Sequence, residues 1–325
     1  MVDETEKQAR PRFSLVVPVF NEFPMLPALR ERLPKSLDAV CNDWEIVFVN
    51  DGSTDGSLDD LLVWHASEKR ISVVNLSRNF GHQAAVFAGL SHARGAVVGV
   101  IDADLQDPPE LLAEMYEKLL KEADVVYGVR TGRKEGPILK SCYWVAYRVM
   151  NALADHPLPL DSGDFCLMRR KVLDQLLQMS EHRLFLRGLR SWVGLRQVPF
   201  VYERAPREFG ETKYRFRDLW CLMRDGVYGF TTFPLKVMRW LGGLVVVASA
   251  CYVAYLLIVL LFGGTAPRGF STLIVAACFF GGSQLLATGI VGEYVARIYE
   301  ESQRRPRFIV DEFHTASKQS DQDKN

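Results

Sequence analysis

The chain has no net charge to offer, since 39 basic and 39 acidic residues cancel over 325 positions. That excludes the overall electrostatic footprint of a nucleic-acid binder, and any affinity for phosphate or membrane must come from local clusters. Cysteine is sparse and unpatterned. Cys41, Cys142, Cys166, Cys221, Cys251 and Cys278 show no close pairing, no Cys-x-x-Cys and no histidine spacing suited to zinc, which leaves buried thiols in a reducing compartment. Met1 to Arg12 alternates charges without an apolar segment, so no secretory signal is expected there. Apolar residues, by contrast, make up 48% of the chain, enough for a substantial core and too many for disorder. They are unevenly spread, and two long uncharged stretches near the C-terminus hold much of them.

From Phe13 to about Gly128, short apolar runs alternate with amphipathic helical stretches. The runs Phe13 to Phe20, Trp44 to Asn50, Ile71 to Leu76, Ala96 to Ile101 and Asp124 to Val129 are β-branched and continuously apolar, as strands buried on both faces should be. A doubly wound, mainly parallel α/β sheet is expected, with further strands at Asp164 to Met168 and Gln197 to Tyr202. Ligands of such sheets bind at the carboxyl ends of the strands, so chemistry is sought just after each run.

The basic segment Arg204 to Lys213 leads into a stretch whose Phe216, Leu219, Trp220, Met223, Val227 and Phe230 fall at helical spacing, opposite Arg217, Asp218, Arg224 and Asp225. This is the pattern of a helix lying in a membrane interface. Leu241 to Phe262 is an uncharged run of 22 residues, which as a helix rises about 33 Å against a hydrocarbon core of roughly 30 Å. Gly269 to Gly292 is a second such run, and a two-helix transmembrane hairpin is expected. Lys236, Arg239, Arg297, Arg304, Arg305 and Arg307 flank it, with Arg268 alone between the runs, so the α/β domain and both termini are expected to be cytoplasmic. The expected organisation is a polar tail at 1–12, a catalytic domain at 13–214, an interfacial helix at 215–238, the hairpin at 239–292, and a juxtamembrane segment and tail at 293–325, disordered after Asp311.

The strongest chemical signal is Val100-Ile101-Asp102-Ala103-Asp104-Leu105-Gln106-Asp107-Pro108-Pro109-Glu110, an apolar strand ending in closely spaced carboxylates. With the chain extended there, Asp102, Asp104 and Gln106 project to one side. Oxygen ligands without histidine or cysteine suit Mg²⁺ or Mn²⁺, and such an ion implies a diphosphate substrate to complete its shell. Asp107 and Glu110 read instead as a helix N-terminus opened by Pro108-Pro109. Glu22 and Asp51 follow the first two strands, where carboxylates suit the base and ribose hydroxyls of a nucleoside. His82 and His92 read as solvated or capping residues of a helix over Gln83 to Ala93, and Arg169-Arg170-Lys171 as a solvated helix start.

Pro18-Val19-Phe20-Asn21-Glu22, Asn50-Asp51-Gly52-Ser53-Thr54-Asp55, the Asp102 to Glu110 segment, Gly163-Asp164-Phe165 and Arg207-Glu208-Phe209-Gly210-Glu211-Thr212-Lys213-Tyr214 together resemble the motifs of family 2 glycosyltransferases of GT-A fold. The resemblance is closest to the polyisoprenyl-phosphate glycosyltransferases and runs from about Phe13 to Val310. It implies that Pro18, Glu22, Asp51 and Asp102 contact the nucleotide, that Asp102, Asp104 and Gln106 hold Mg²⁺ or Mn²⁺, and that Asp102 and Asp104 are catalytic. It further implies that Arg207 and Lys213 reach the diphosphate and that Arg130, Lys140 and Ser141 receive the lipid phosphate. Family 2 enzymes with hydroxyl acceptors place a base near Asp164, and with a phosphate acceptor an orienting role is expected of it instead. Asn50 stands where aspartate is common, and His82 where lysine is common.

A phosphate monoester already carries about −1.5 to −2 charge at neutral pH and needs no strong base to act as nucleophile. The implied reaction is one inverting displacement from a nucleotide sugar, with UDP-glucose first among donors, to a polyprenyl phosphate such as undecaprenyl phosphate. Its product would serve cell-envelope glycan synthesis or lipid A modification at a bacterial inner membrane. The resemblance also implies a homo-oligomer, a tetramer. The rival readings are a processive polysaccharide synthase, since Lys236-Val237-Met238-Arg239-Trp240 approximates a Gln-x-x-Arg-Trp signature, and a non-catalytic lipid-binding membrane scaffold.

Overall fold

A computed structural model describes residues 12–131, 162–179, 181, 184–203, 233–262 and 269–315. Within them the chain runs β1 (Phe13–Val19), α1 (Leu26–Val40), β2 (Trp44–Asn50), α2 (Ser57–Ser67), β3 (Ile71–Leu76), α3 (His82–His92), β4 (Val97–Val100) and α4 (Leu112–Glu122). It continues with β5 (Val125–Thr131), β6 (Ser162–Arg169), α5 (Arg170–Gln178), α6 (Leu186–Trp192), β7 (Gln197–Glu203), α7 (Phe233–Leu261), α8 (Phe270–Ser302) and β8 (Val310–His314).

The eight strands form one sheet in the order β7-β5-β6-β4-β1-β2-β3-β8. Its centre is the expected parallel set β4-β1-β2-β3. The flanks differ from the expectation. β6 pairs antiparallel with both β4 and β5, and β8 pairs antiparallel with β3, so the sheet is mixed. Apolar runs carry no record of strand direction, which is why the sequence pattern missed this.

The continuous apolar runs follow from burial on two faces. Leu15, Ile46 and Phe48 pack with Leu29, Leu33 and Leu37 of α1, Trp64 of α2, and Leu112, Met115 and Leu119 of α4. Val16, Val47 and Val74 turn to the other face, against Ala85 and Val86 of α3 and Val172 and Leu176 of α5. Removing each such leucine from water contributes about 2 kcal/mol as an upper figure. Because α1 and α2 cover one face and α3 the other, the direction of winding reverses between β1 and β4. The crevice at such a reversal is where a doubly wound sheet takes its ligand.

The Arg169-Arg170 run caps helices instead of facing solvent. Arg169 donates to the carbonyls of Leu119, Leu120 and Ala123 at the end of α4, and Arg170 to those of Ala93 and Gly95 just after α3. A cation there meets carbonyls the helix leaves unpaired. The tail beyond Asp311 is likewise ordered through His314. Strand β8 covers the β3 edge, Ser77 donates its amide to the Ile309 carbonyl, and Phe313 packs its ring 4.7 Å from His92.

Compactness divides the chain into two units. One comprises 1–144, 156–213 and 305–325, the other 145–155 and 214–304. In the second, α7 and α8 span the two uncharged runs and expose Leu244, Leu261 and Leu285 by 66%, 82% and 76%. Among the described residues no helix is long and apolar enough to cross a membrane, the side chains of both helices being described only in part. The expected interfacial helix at 215–238 lies mostly outside the described residues.

Candidate functional site

Three loops at the carboxyl ends of β1, β2 and β3 interlock before any ligand is considered. Asn21, in left-handed backbone at φ 54°, accepts the Thr54 amide at 2.8 Å and donates its own amide to Ser53 Oγ at 3.0 Å. Asp55 accepts the Phe23 amide and both the amide and the hydroxyl of Ser57. Gly52 sits at φ +69°, and a Cβ there would stand 2.6 Å from the Asn79 amide nitrogen, so only glycine lets the β2 and β3 loops approach this closely. Asp51 completes the clasp by accepting the amides of Phe80 and Gly81 at 2.7 and 3.0 Å. Burial pushes its carboxyl above the usual carboxylate range, against the pull of those two amides.

The clasp frames a cleft of about 290 Å³ lined by Pro18, Glu22 and Asp51, by Asn79, Gly81 and His82, and by Asp102 and Asp104, among others. Four side chains expected to meet a nucleotide, and both expected catalytic carboxylates, are therefore gathered in one place. The means differs from the expectation. β4 ends at Val100, and the chain then turns through Ala103-Asp104, with Leu105 in left-handed backbone at φ 52°. Such a conformation strains a leucine by about 1–2 kcal/mol, and burial of its side chain holds it there. The Gln106 amide donates to Asp104 Oδ1 at 3.1 Å, while the Gln106 side chain is buried and absent from the cleft wall. The extended strand that would have aligned Asp102, Asp104 and Gln106 does not form.

Asp102 is the chemically unusual group. Its Oδ1 is buried and has no hydrogen-bond partner, and His82 Nε2 lies 3.6 Å away. Burial, with the charges of Asp164, Asp107 and Asp104 adding to it, drives the carboxyl up to about 6 against the opposing charge of His82. A buried carboxylate oxygen left without a donor fits a divalent ion held by Asp102 and Asp104, with substrate oxygens and water completing the shell. Among the described residues no group of three histidine, cysteine, aspartate or glutamate side chains could hold a metal by itself.

Five residues further on, Asp107 is fully buried and fully partnered, by Arg130 Nη2 at 3.0 Å and by the Tyr202 hydroxyl. It is an internal strut, not a helix N-terminus. Arg130, the residue that the resemblance assigns to the acceptor phosphate, binds Asp107 and Tyr202 and is absent from the cleft wall. Lys140, Ser141, Arg207 and Lys213 lie outside the described residues.

Three residues the sequence did not single out as a unit surround Asp164. Arg187 binds it in bidentate fashion at 2.9 and 3.1 Å, Gln83 Nε2 donates at 3.0 Å, and His82 Nε2 lies at 3.2 Å. Burial opposes charge on Asp164, but His82 and Arg187 outweigh it and hold the carboxyl well below the usual range. On His82 the same balance raises the ring to about 9, burial being overcome by its hydrogen bond to Asp164 and by the charges of Asp102 and Asp164. Thus His82 is a cleft residue, not a solvated cap. The exchange of lysine for histidine noted in the sequence was the only signal.

An α/β sheet whose winding reverses at an acidic, nucleotide-sized cleft defines a class, the enzymes that bind activated nucleotides at strand ends. Comparison with known proteins narrows it. The profile of glycosyl transferase family 2 matches residues 14–177. A glycosyltransferase of uncharacterised role from Bacillus subtilis, YkcC, is 42% identical over 92% of this chain and 93% of its own. The bactoprenol glucosyl transferase of Shigella phage SfV is 38% identical over 92% and 98%. A solved mannosyltransferase from Pyrobaculum calidifontis, PcManGT, in complex with GDP-Man and Mn²⁺, aligns over 67% of this chain and 61% of its own at a TM-score of 0.44 and 21% identity. The chain belongs to glycosyl transferase family 2 and is a glycosyltransferase.

Proposed function

We propose that the protein transfers one sugar from a UDP-linked nucleotide sugar to a polyprenyl phosphate, undecaprenyl phosphate being the expected acceptor. The observation that carries this reading is the cleft itself, which joins Pro18, Glu22 and Asp51 to Asp102 and Asp104, with one Asp102 oxygen unsatisfied. Full-length similarity to bactoprenol glucosyl transferases supports a lipid phosphate as acceptor.

An acceptor phosphate oxygen attacks the anomeric carbon, the bond from that carbon to the diphosphate breaks, and the nucleoside diphosphate leaves with the bonding pair. Configuration inverts. No proton need be removed from the nucleophile, since the phosphate is already ionised. Glu22 and Asp51 bind the nucleoside end and so align the sugar with the attacking oxygen. A Mg²⁺ or Mn²⁺ ion, held by Asp102 and Asp104, would supply charge neutralisation for the departing diphosphate. Asp102 and Asp104 are the residues on which turnover depends.

The lipid acceptor calls for a membrane, and the uncharged runs of α7 and α8 are proposed to cross it as a hairpin. The uncharged runs 241–262 and 269–292 of the sequence support this, as do the exposed Leu244, Leu261 and Leu285. The flanking arginines and lysines support a cytoplasmic catalytic unit at a bacterial inner membrane.

The test offers the purified full-length protein, in bilayers containing undecaprenyl phosphate, a panel of nucleotide sugars with Mg²⁺, Mn²⁺ or EDTA. Mass analysis of the lipid fraction is expected to find one hexose per lipid phosphate, abolished by EDTA. A polymer would favour a processive synthase, and no transfer from any donor would favour a scaffold.

A further inference from the structure

Asp164 lies where a carboxylate beside the reaction centre invites the role of proton acceptor, yet its surroundings assign it different work. Four donor contacts converge on its two oxygens, with Arg187 Nε on Oδ1, and Arg187 Nη2, Gln83 Nε2 and His82 Nε2 on Oδ2. It is 7% exposed and is not part of the cleft wall. The side-chain Oε1 of Gln83 also accepts the Leu186 amide at 3.0 Å, so the first turn of α3, strand β6 and the start of α6 are tied through one carboxylate. A carboxylate bound this way orients its donors and has little capacity left for a substrate proton.

The side chain being oriented is His82. It opens α3 next to Gly81, lines the cleft beside Asp102 and Asp104, and leaves 44% of its surface open. Its Nε2 faces Asp164 and Asp102, and among the described residues its other ring nitrogen, Nδ1, forms no hydrogen bond. A half-open ring with one nitrogen anchored and one left over, at the start of a helix and beside the carboxylates proposed to meet the diphosphate, is arranged to touch a ligand.

We propose that His82 is a donor-substrate residue, its Nδ1 hydrogen-bonding the sugar-diphosphate portion of the nucleotide sugar, and that Asp164 with Arg187 is the positioning pair that sets the ring. This rests on the nucleotide-sugar reading above. It goes further by naming a contact and the side chain that Asp164 orients.

The experiment measures steady-state kinetics in the same bilayers, with the nucleotide sugar that the wild-type protein uses and undecaprenyl phosphate varied in turn. His82→Ala is expected to raise KM for the nucleotide sugar about tenfold while leaving KM for the lipid unchanged, since one hydrogen bond to a charged ligand is worth about that factor. His82→Asn, whose amide reaches the Nδ1 position, is expected to recover part of the loss. Asp164→Asn is expected to move the same KM in the same direction by a smaller factor. An unchanged nucleotide-sugar KM in His82→Ala, or a change confined to the lipid, overturns the contact. A kcat fall of about a thousandfold in Asp164→Asn with KM unchanged, relieved as pH rises, overturns the positioning role and restores the base. His82→Ala alone decides the first point should Asp164→Asn fail to fold. If the wild-type protein transfers no sugar, the nucleotide-sugar reading has failed. If it transfers sugar and His82→Ala matches it, only the present inference has failed.

Discussion

The loop between β4 and α4 has two halves that use the same chemistry to opposite ends. Asp102, in the first half, keeps 23% of its side chain exposed and buries an Oδ1 that accepts no hydrogen bond, with His82 Nε2 at 3.6 Å, whereas Asp107, in the second, is fully buried with a donor on each oxygen. A buried carboxylate oxygen is common to both. Unsatisfied capacity separates them, because a buried carboxylate without partners is costly unless something from outside completes it. The first half therefore has capacity to spare for a ligand, and the second spends its own on the fold.

The contrast can be broken by experiment. The largest effect is expected from Asp104→Asn and Asp102→Asn, which should each lower turnover about 1000-fold while the melting temperature stays level, or rises for Asp102→Asn as a buried carboxylate oxygen without a hydrogen bond is replaced. Thermal unfolding beside the transfer assay checks this, and a melting point that falls with Asp102→Asn would contradict the division of labour. Asp107→Ala should do the reverse in kind. Leaving Arg130 and Tyr202 without their anion should cost about 3 kcal/mol of stability, roughly 10 °C for a domain this size, as calorimetry can read. Gly52→Ala, away from both carboxylates, should cost about 2 kcal/mol through strained backbone and overlap with Asn79. Nucleotide binding should weaken with it, since the clasp around Asp51 must shift.

The smallest effect concerns pH. Because the folded protein holds the Asp164 carboxyl below its ordinary value near 3.8, its contribution to stability is complete above that value and is lost only as pH falls through the lower, folded one. The stability gap between wild type and Asp164→Asn should be widest between about pH 5 and 6, narrow below about 4 as Asp164 gains its proton, and narrow again from about 6.5 toward 9 as His82, which Asp164 holds protonated, loses its own. Urea midpoints across that range measure it, and a gap that narrows as pH falls from 6 to 5 would mean the carboxyl is not held ionised.

Much of the site was legible in the chain. Pro18 lies at the end of an apolar run and Glu22, Asp51, Asp102 and Asp104 follow such runs, and residues at the ends of buried parallel strands must meet at one edge of the sheet. What misled was local extrapolation. A two-residue period set Gln106 beside Asp104, but the chain turns at Ala103-Asp104, and the Gln106 amide closes that turn. The resemblance assigned Arg130 to the lipid phosphate, and its neighbours along the chain gave no sign of the partners it has. Its partner Asp107 lies 23 residues earlier and Tyr202 lies 72 later.

The sequence by itself determined the α/β class, the parallel centre of the sheet and the edge where the acidic residues gather, because periodicity and strand-end position are properties of short segments. Only the tertiary structure decided that β6 and β8 run antiparallel, that His82 faces two carboxylates, and which of two neighbouring aspartates is left unsatisfied. Those outcomes depend on pairings between residues far apart in the chain, and the free energy of a buried charge is set by what surrounds it in space, which no local pattern records.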